Sequence, residues 1–466
     1  MIFSLKSRSL FGVVFFYLAL IGFSIFGYIL INRYGNSLFP MTPGKSPGAE
    51  SSASQFNNLL HVLLALAIVI ATARIMGRVF SLMNQPSVIG EVIGGIFLGP
   101  SLLGKYAPEV YAYILPNSVA PIMGIIAQLG VILYMFLVGV ELDLKVLKTS
   151  GHKTLAISHA SIIAPFLLGA LLAVELYEDY APEGVGFTVF SLFFGVSMSI
   201  TAFPVLARII SDKKLQKTEL GAITLTCAAI DDVTAWCLLA FIVSAAQVTM
   251  MSAVYTLIMT VIYISFMFIF VRPIVTKAVL KLDQHKIIAE GELAIICLGI
   301  FVSALATEYI GIHAIFGAFL FGAIIPEKSK LAHDLKFRLE DLVRVLFLPC
   351  FFAFTGMRTE IGLVNNPHDW MICGVIIAVA TIGKFGGSLL AAKFYGVGWR
   401  DSAAIGVLMN TRGLVELIVL NIGLDLGIIA PRLFAMLVIM ALATTFMTGP
   451  LLELILNTKK QKLQVA

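Results

Sequence analysis

The sequence has little charge for its length. Of its 466 residues, 13% are Asp, Glu, Lys or Arg and 59% are hydrophobic, whereas soluble domains carry about 25% charged residues. The charges lie between apolar runs of about 20 residues, the length that a helix needs to cross a membrane. Membrane-barrel strands alternate in polarity and are much shorter. The composition therefore excludes a soluble binding module and predicts an all-α polytopic membrane protein.

Cysteine is also scarce. The five cysteines fall in or at the ends of apolar runs, and none has the spacing of a metal site. Buried free thiols behave as small hydrophobic side chains. We interpret these cysteines as core residues and expect no cofactor. The net charge of +5 reflects membrane topology, and we expect no nucleic-acid partner.

The apolar runs predict fourteen membrane segments. They lie near 10–32, 57–79, 86–102, 119–140, 153–175, 185–209, 219–246, 250–271, 289–308, 311–326, 341–357, 370–392, 402–424 and 431–456. Lys and Arg gather in alternate turns, beginning before the first segment and ending after the last. Because basic residues are retained on the cytoplasmic side, this alternation predicts that both termini are cytoplasmic.

Segment 10–32 could be a signal peptide, but its apolar run of about 20 residues exceeds the roughly 7–15 of such a peptide. We therefore expect a retained helix and an exposed linker in 1–56, a transmembrane domain in 57–456 and a cytoplasmic tail in 457–466. The thirteen helices of the domain divide as six, one and six, with 250–271 as the link. The second six then start in the opposite orientation, as inverted repeats require, and such transporters bind ions near the midplane between discontinuous helices.

The fifth helix of each six-helix half contains residues that interrupt helices. In the first half Pro204 follows Ser199 and Thr201, and proline frees carbonyls of the preceding turn, which could bind a cation. A simple proline kink is the alternative. The second half has polar residues and glycine at a matching depth: Asn410, Thr411, Arg412, Gly413 and Glu416. Arg412 and Glu416 are spaced i, i+4, so they could simply neutralise each other.

Two adjacent acids, Asp231 and Asp232, lie in the middle of the helix after the first interruption. Each charge at that depth costs about 2.5–3.5 kcal/mol, and two like charges oppose simultaneous ionisation. Such a pair can hold a hard cation or protons, but not both. Lys384 lies mid-helix among glycines that allow close helix packing. It is the predicted charge partner of the acids.

Seven stretches together resemble the second monovalent cation:proton antiporter family, which includes Kef-type and plant cation/proton exchangers. They are QPSVIGEVIGGIFLGPSLL at 85–103, FLVGVELD at 136–143, SITAFPVLAR at 199–208, AAIDDVTAW at 228–236, HAIFGAFLFGAIIP at 313–326, LPCFFAFTGMRT at 348–359 and LMNTRGLVELIVLNIG at 408–423.

The resemblance implies a homodimer of thirteen-helix protomers, each with a dimerisation domain and a mobile core that carries crossed broken helices. It implies that Asp232 is the principal carrier of the metal ion and the proton, and that Asp231 is an auxiliary acid paired with Lys384. An acid at position 231 favours electrogenic exchange. The helix at 10–32 departs from the thirteen-helix pattern, and the short tail separates the chain from gated Kef-type systems.

The predicted function is therefore exchange of Na⁺ or K⁺, or both, for protons, and not catalysis. An intramembrane aspartyl protease needs two acids that share a water, whereas Asp231 and Asp232 diverge by about 100° around a helix. A cation channel or a gated K⁺ efflux system is the alternative. A channel would need a continuous pore with weak binding at several sites. The sequence leaves the choice between Na⁺ and K⁺ open.

Overall fold

A computed structural model describes residue 26 and residues 49–141, 152–215, 218–247, 250–282, 290–327 and 329–464. The chain divides into two units, 1–59 and 60–466. Apart from residue 26, the predicted helix at 10–32 lies outside the described residues, as does the linker up to residue 48. The first helix begins at Ala49, so residues 49–56 of the predicted linker are helical. No Pro or Gly follows Gly48 in that stretch to prevent it.

The described residues are helical without a strand. The first nine helices are α1 Ala49–Leu82, α2 Ser87–Leu98, α3 Leu103–Tyr106, α4 Pro108–Ile114, α5 Ala120–Val140, α6 His152–Tyr180, α7 Phe187–Ser197, α8 Phe203–Asp212 and α9 Glu219–Gln247. The others are α10 Met250–Phe266, α11 Arg272–Leu282, α12 Glu290–Ile310, α13 Ala314–Ala323, α14 Lys330–Leu342, α15 Leu348–Met357, α16 Pro367–Phe394, α17 Trp399–Met409, α18 Leu414–Asp425 and α19 Pro431–Gln464. Short π-helical turns join α10 to α11 and α14 to α15.

Nine helices of the described part are long and apolar enough to cross a membrane, and the bent pair α17–α18 makes a tenth. Each predicted segment from 57–79 onward overlaps a helix or a pair of helices, which confirms the all-α polytopic fold. Helix α14 was not predicted, because its charged residues were interpreted as a basic turn. Ser329 caps α14 by accepting the N–H of Ala332 at 3.1 Å, and Leu335 is buried on its inner face.

The helices of unit 60–466 form two bundles. In the first, the scaffold bundle, α5 packs on α13 and α15 packs on α2 and α5, while α12 covers α13. In the second, the core bundle, α16 packs on α6 and α17, α6 packs on α7 and α9, and α19 packs on α16, α17 and α18. The α10–α11 helix lies between α9 and α12, so it connects the core bundle to the scaffold bundle along the chain.

Glycine allows the helices of the scaffold bundle to approach closely. A Cβ on Gly322 would lie 2.1 Å from the carbonyl oxygen of Phe136, and one on Gly139 would lie 2.1 Å from that of Phe319. These reciprocal contacts join α5 to α13 at backbone distance, as small residues do between membrane helices. The scaffold bundle is therefore a closely packed support for the site in the core bundle.

Candidate cation and proton site

Two interrupted helices meet in the core bundle. The first break separates α7, which ends at Ser197, from α8, which begins at Phe203. The second separates α17 from α18. The N–H of Ala202 donates to the carbonyl oxygen of Thr411 at 3.0 Å, so the two breaks are hydrogen-bonded to each other. Each break brings a carbonyl end and an N–H end of a half-helix to the middle of the bundle.

Pro204 and Gly413 lie at the two breaks, and neither simply bends a continuous helix. Pro204 occupies the first turn of α8, where its missing N–H leaves no bond unmade and its ring favours helix initiation. It therefore starts a new half-helix, and the alternative of a simple proline kink does not describe this break. Gly413 precedes α18 and has an extended backbone. A Cβ there would lie 2.7 Å from Cγ2 of Val205, so Gly413 lets the two breaks approach.

Asp231 is a buried carboxylate whose two oxygens are both occupied. Oδ1 accepts from the hydroxyl of Ser158 at 2.6 Å. Oδ2 accepts from Ser161 at 2.7 Å, Thr201 at 2.8 Å and the Lys384 ammonium at 3.1 Å. Asp231 and Lys384 are 1% and 0% exposed. Asp231 is therefore held in place by partners on both of its oxygens.

Lys384 and Arg412, both fully buried, bind the carbonyl end of α7. The Lys384 ammonium donates to the carbonyl oxygen of Ser199. Arg412 donates to the carbonyl oxygens of Ser197 at 2.8 Å and Met198 at 2.5 Å. The last carbonyls of a helix carry partial negative charge. Two basic side chains from the second half of the chain thus neutralise the half-helix end of the first half.

Arg412 is also held within its own half. Its guanidinium donates to Glu416 at 3.1 Å across one helical turn. Its backbone N–H donates to the Thr445 hydroxyl at 3.0 Å, and that hydroxyl donates back to its carbonyl oxygen at 2.8 Å. Glu416 is fully buried and its Oε1 has no partner. The pair therefore fixes the orientation of Arg412 at the second break.

Asp232 differs from its neighbour because its carboxylate is only partly occupied. It is 3% exposed, and its Oδ1 has no hydrogen-bond partner. The backbone N–H of Phe203, at the start of α8, is next to the carboxylate. A helix N-terminus carries partial positive charge and favours an anion. Asp232 is thus a buried acid with an oxygen available for a proton or a cation.

The other predicted residues have separate roles in the structure. The Thr201 hydroxyl faces Asp231 and also the Met409 carbonyl oxygen, at 3.1 Å. The Ser199 hydroxyl donates to the carbonyl oxygens of Ile162 on α6 and Gly195 on α7, so only its backbone carbonyl faces the charged site. Asn410 has an unpartnered Oδ1, and Thr411 contacts α19 through a long 3.5 Å hydroxyl contact.

Sequence reasoning missed the serines and threonines that complete the site. Ser158 and Ser161 are both fully buried and lie three residues apart on α6, so they present their hydroxyls on one helix face. Thr445 lies on α19. The i, i+3 spacing of serines in an apolar helix was the available signal for the first two. No pattern in the sequence connects Thr445 to the second break.

A cavity of about 490 Å³ lies between the two bundles. Its scaffold wall includes the buried acid Glu91 and Tyr134, and its core wall includes Phe203 and Leu414, the first residues of α8 and α18. Basic side chains also line it: Arg74, Arg208, Lys336 and Arg344. Because Phe203 lines the cavity and its N–H is next to Asp232, the cavity wall at Phe203 is next to the acid.

Comparison with known proteins places the chain in a family. The profile described as "Sodium/hydrogen exchanger, transmembrane" matches residues 64–458. This chain belongs to the sodium/hydrogen exchanger family. The exchanger is 42% identical to the Na(+)/H(+) antiporter NhaS4 of Synechocystis, over 85% of this chain and 97% of that protein.

Other relatives are longer. The exchanger is 38% identical to Cation/H(+) antiporter 17 of Arabidopsis thaliana, over 88% of this chain and 50% of that protein. It is 35% identical to K(+)/H(+) antiporter 1 of Saccharomyces cerevisiae, over 90% of this chain and 49% of that protein. It thus spans about half the length of these relatives.

A solved structure, that of the sodium proton antiporter MjNhaP1 from Methanocaldococcus jannaschii, matches with a TM-score of 0.60 at 14% identity. The match covers 85% of this chain and 96% of that one, and it shows that the fold is shared. In the parts of the chain that the structure describes, no cluster of three or more His, Cys, Asp or Glu side chains could hold a metal ion. A cation at Asp232 would therefore also need carbonyl, hydroxyl or water oxygens.

Proposed function

We propose that this exchanger carries Na⁺ or K⁺ in one direction and protons in the other, and that the ion and the proton compete for Asp232. The observation that carries this proposal is the contrast between the adjacent acids. Asp231 accepts hydrogen bonds on both oxygens, whereas Asp232 has a buried oxygen with no partner. A carrier needs one acid that is held and one that is free to exchange its ligand.

The charges around the site support this assignment. Asp231 with Lys384 and Arg412 with Glu416 form two buried pairs, and each pair is neutral overall. Asp232 then determines the net charge of the site. An empty site holds one uncompensated negative charge, which is costly to bury, whereas a site loaded with one monovalent cation or one proton is neutral. Loaded forms therefore cross the membrane more easily than the empty form, which couples the two ions.

Hard cations prefer oxygen ligands. The Asp232 carboxylate is the charged ligand in the proposed site. The candidates for the neutral ligands are the Asn410 amide oxygen, which has no partner, the Thr201 hydroxyl and the Ser199 carbonyl oxygen. The cavity supplies the path, since it reaches Phe203 beside Asp232.

We also propose electrogenic exchange, in which a second proton binds Asp231 when the Lys384–Asp231 pair opens. The proton-loaded site then carries the positive charge of Lys384, whereas the cation-loaded site is neutral. Lys384 has a second partner in the Ser199 carbonyl oxygen, so it stays bound at the break while Asp231 is released. With two protons moved per monovalent cation, each cycle moves net charge. A stable pair throughout the cycle would instead give exchange without net charge.

The basic rim of the cavity supports an orientation. Lys336 and Arg344, which line it, belong to a part of the chain rich in Lys and Arg, and such turns face the cytoplasm. We infer that the cavity opens to the cytoplasm and that both termini lie on that side. We infer further that the exchanger is a homodimer joined through its scaffold bundle, within a transmembrane domain over 57–456.

The test is collapse of an imposed ΔpH in proteoliposomes by Na⁺, K⁺ or Li⁺. The wild type should respond, and Asp232→Asn should be silent. Asp401→Asn is the matched control, since it makes the same change at an exposed acid in the first turn of α17. An Asp232→Asn variant that responds like the wild type would refute the assignment. Single-channel currents in planar bilayers would instead favour the channel.

A further inference from the structure

The interface between the scaffold and core bundles, called the seam below, has one end at the cavity and a second end away from it. Helices α15 and α18 are in contact across this seam, and both begin at the cavity, because Leu348 and Leu414 line it. At 1.5 Å per residue, each helix extends about 15–18 Å from there. They end at Met357 and Asp425. What joins these two ends closes the seam on the face opposite the cavity.

A guanidinium joins them. Arg358, the residue after α15, belongs to the scaffold bundle. Its Nη1 donates to Oδ1 of Asn421 at 2.9 Å, and its Nη2 donates to Oδ1 of Asp425 at 2.5 Å. Both acceptors lie on α18 of the core bundle, one turn apart. The two arms of the guanidinium therefore span a full helical turn of the opposite bundle, which a single-point ammonium could not do.

Asn421 makes a further bond across the seam. Its Nδ2 donates to the Thr355 hydroxyl at 2.9 Å and to the Leu417 carbonyl oxygen at 2.8 Å. Its amide is thus used on both sides, as acceptor from Arg358 and as donor to Thr355. Both contacts would be lost together if α18 moved along α15.

The contacts form a buried inner layer and an exposed outer layer. Thr355 is fully buried and Asn421 is 8% exposed, whereas the Asp425 side chain is 44% exposed. Exposed ion pairs contribute little to stability, but buried polar groups that lose their partners are costly. The Thr355–Asn421 layer therefore holds the seam, and Asp425 mainly orients Arg358.

We propose that Thr355, Arg358, Asn421 and Asp425 form a latch that closes Asp232 to the face opposite the cavity and that must be released once in each transport cycle. This inference rests on the proposed antiport function, because only a carrier that opens to both faces needs to release the latch. The latch lies outside the ion site, so it controls the rate of exchange and not the choice of ion.

A cross-link tests the latch directly. In a parent whose five cysteines are replaced by alanine, Thr355→Cys with Asn421→Cys puts two thiols where the wild-type side chains touch across the seam. Oxidation should slow cation/proton exchange at least tenfold in proteoliposomes, and reductant should restore the rate measured before oxidation. Each single cysteine variant is a matched control whose rate oxidant should leave unchanged. Mass spectrometry reports the fraction cross-linked.

A second measurement does not depend on cross-link formation. A membrane-impermeant maleimide added on the latch side should label Thr355→Cys at least threefold faster when Arg358→Gln is also present, because the buried thiol becomes reachable only when the seam opens. An equal labelling rate, or a cross-linked variant that exchanges at the full rate, would overturn the latch and leave antiport intact. A cysteine-free parent and a wild type that exchange no cation would overturn the proposed function, and the labelling comparison would still decide the latch.

Discussion

Replacing Asp231 or Asp232 by asparagine removes one negative charge from the same helix, yet only the variant at Asp231 should lose much stability. Asparagine keeps the shape of aspartate, but it has one acceptor oxygen and an NH₂ group that donates. At position 231 it would meet four donors, from Ser158, Ser161, Thr201 and Lys384. At position 232 it would meet the single N–H of Phe203, which its oxygen can accept.

The structure sets the size of the difference. Removing one partner of a buried ion pair typically costs about 3–5 kcal/mol, and Asp231→Asn leaves the Lys384 ammonium without its carboxylate. Asp232→Asn should cost less than about 1 kcal/mol, since its carboxylate has no ion-pair partner to lose and an uncompensated buried charge is removed. Asp231→Asn should therefore reduce the free energy of unfolding by about 3–5 kcal/mol, and Asp232→Asn should hardly change it.

Two assays on the same detergent-purified preparations separate these effects. Thermal unfolding, followed by intrinsic fluorescence, should show a clear loss of stability for Asp231→Asn and little change for Asp232→Asn. Reconstituted into proteoliposomes, Asp232→Asn should show no cation-driven ΔpH collapse. Equal loss of stability in both variants, or full transport by a stable Asp232→Asn protein, would refute the division into a held acid and an exchanging acid.

Three other features give outcomes that the same preparations can measure. Gly322→Ala should destabilise the protein by about 1–3 kcal/mol because its Cβ would lie 2.1 Å from the Phe136 carbonyl oxygen, while Gly386→Ala, with no atom within 4 Å, should not; equal unfolding temperatures would contradict the close contact. Arg412→Lys should slow exchange at least tenfold, because an ammonium cannot fork between two carbonyls and Glu416; a wild-type rate would count against the cap on α7. Under the proposed competition of protons and cations for Asp232, lowering the cavity-side pH by one unit should raise the half-saturating cation concentration up to about tenfold; an unchanged value would exclude a shared site.

The membrane helices could be predicted because lipid imposes a simple requirement on the sequence. A spanning helix needs about 20 apolar residues, and such runs stand out between the groups of charge. The two breaks were also visible, since Pro204 and Gly413 interrupt otherwise regular segments. Helix α14 was missed because a search for apolar runs does not find it. Its stability comes from a cap and one buried face, whereas its overall composition is polar.

The site itself could be predicted only in part. Buried charges at positions 231, 232 and 384 are conspicuous in an apolar sequence, and their cost alone indicates a function. Which acid is held and which is free depends on Ser158 and Ser161, which are ordinary residues of another helix. The role of Pro204 likewise depends on the backbone around it, because proline that starts a helix and proline that bends one have the same sequence signal.

The two halves of the site are far apart in the sequence, so the ribosome makes them at different times. The carbonyl end of α7 is capped by Lys384 and Arg412, which follow Ser199 and Met198 by 185 and 214 residues. While the chain is being inserted into the membrane, these carbonyls and the Asp231 carboxylate lack Lys384 and Arg412, which have not yet been synthesised. Until then water or provisional contacts must satisfy them. Biogenesis of this exchanger therefore has a late step, in which arrival of α16 and the second break completes the first half, and variants at 384 or 412 should accumulate as half-assembled chains open to membrane proteases.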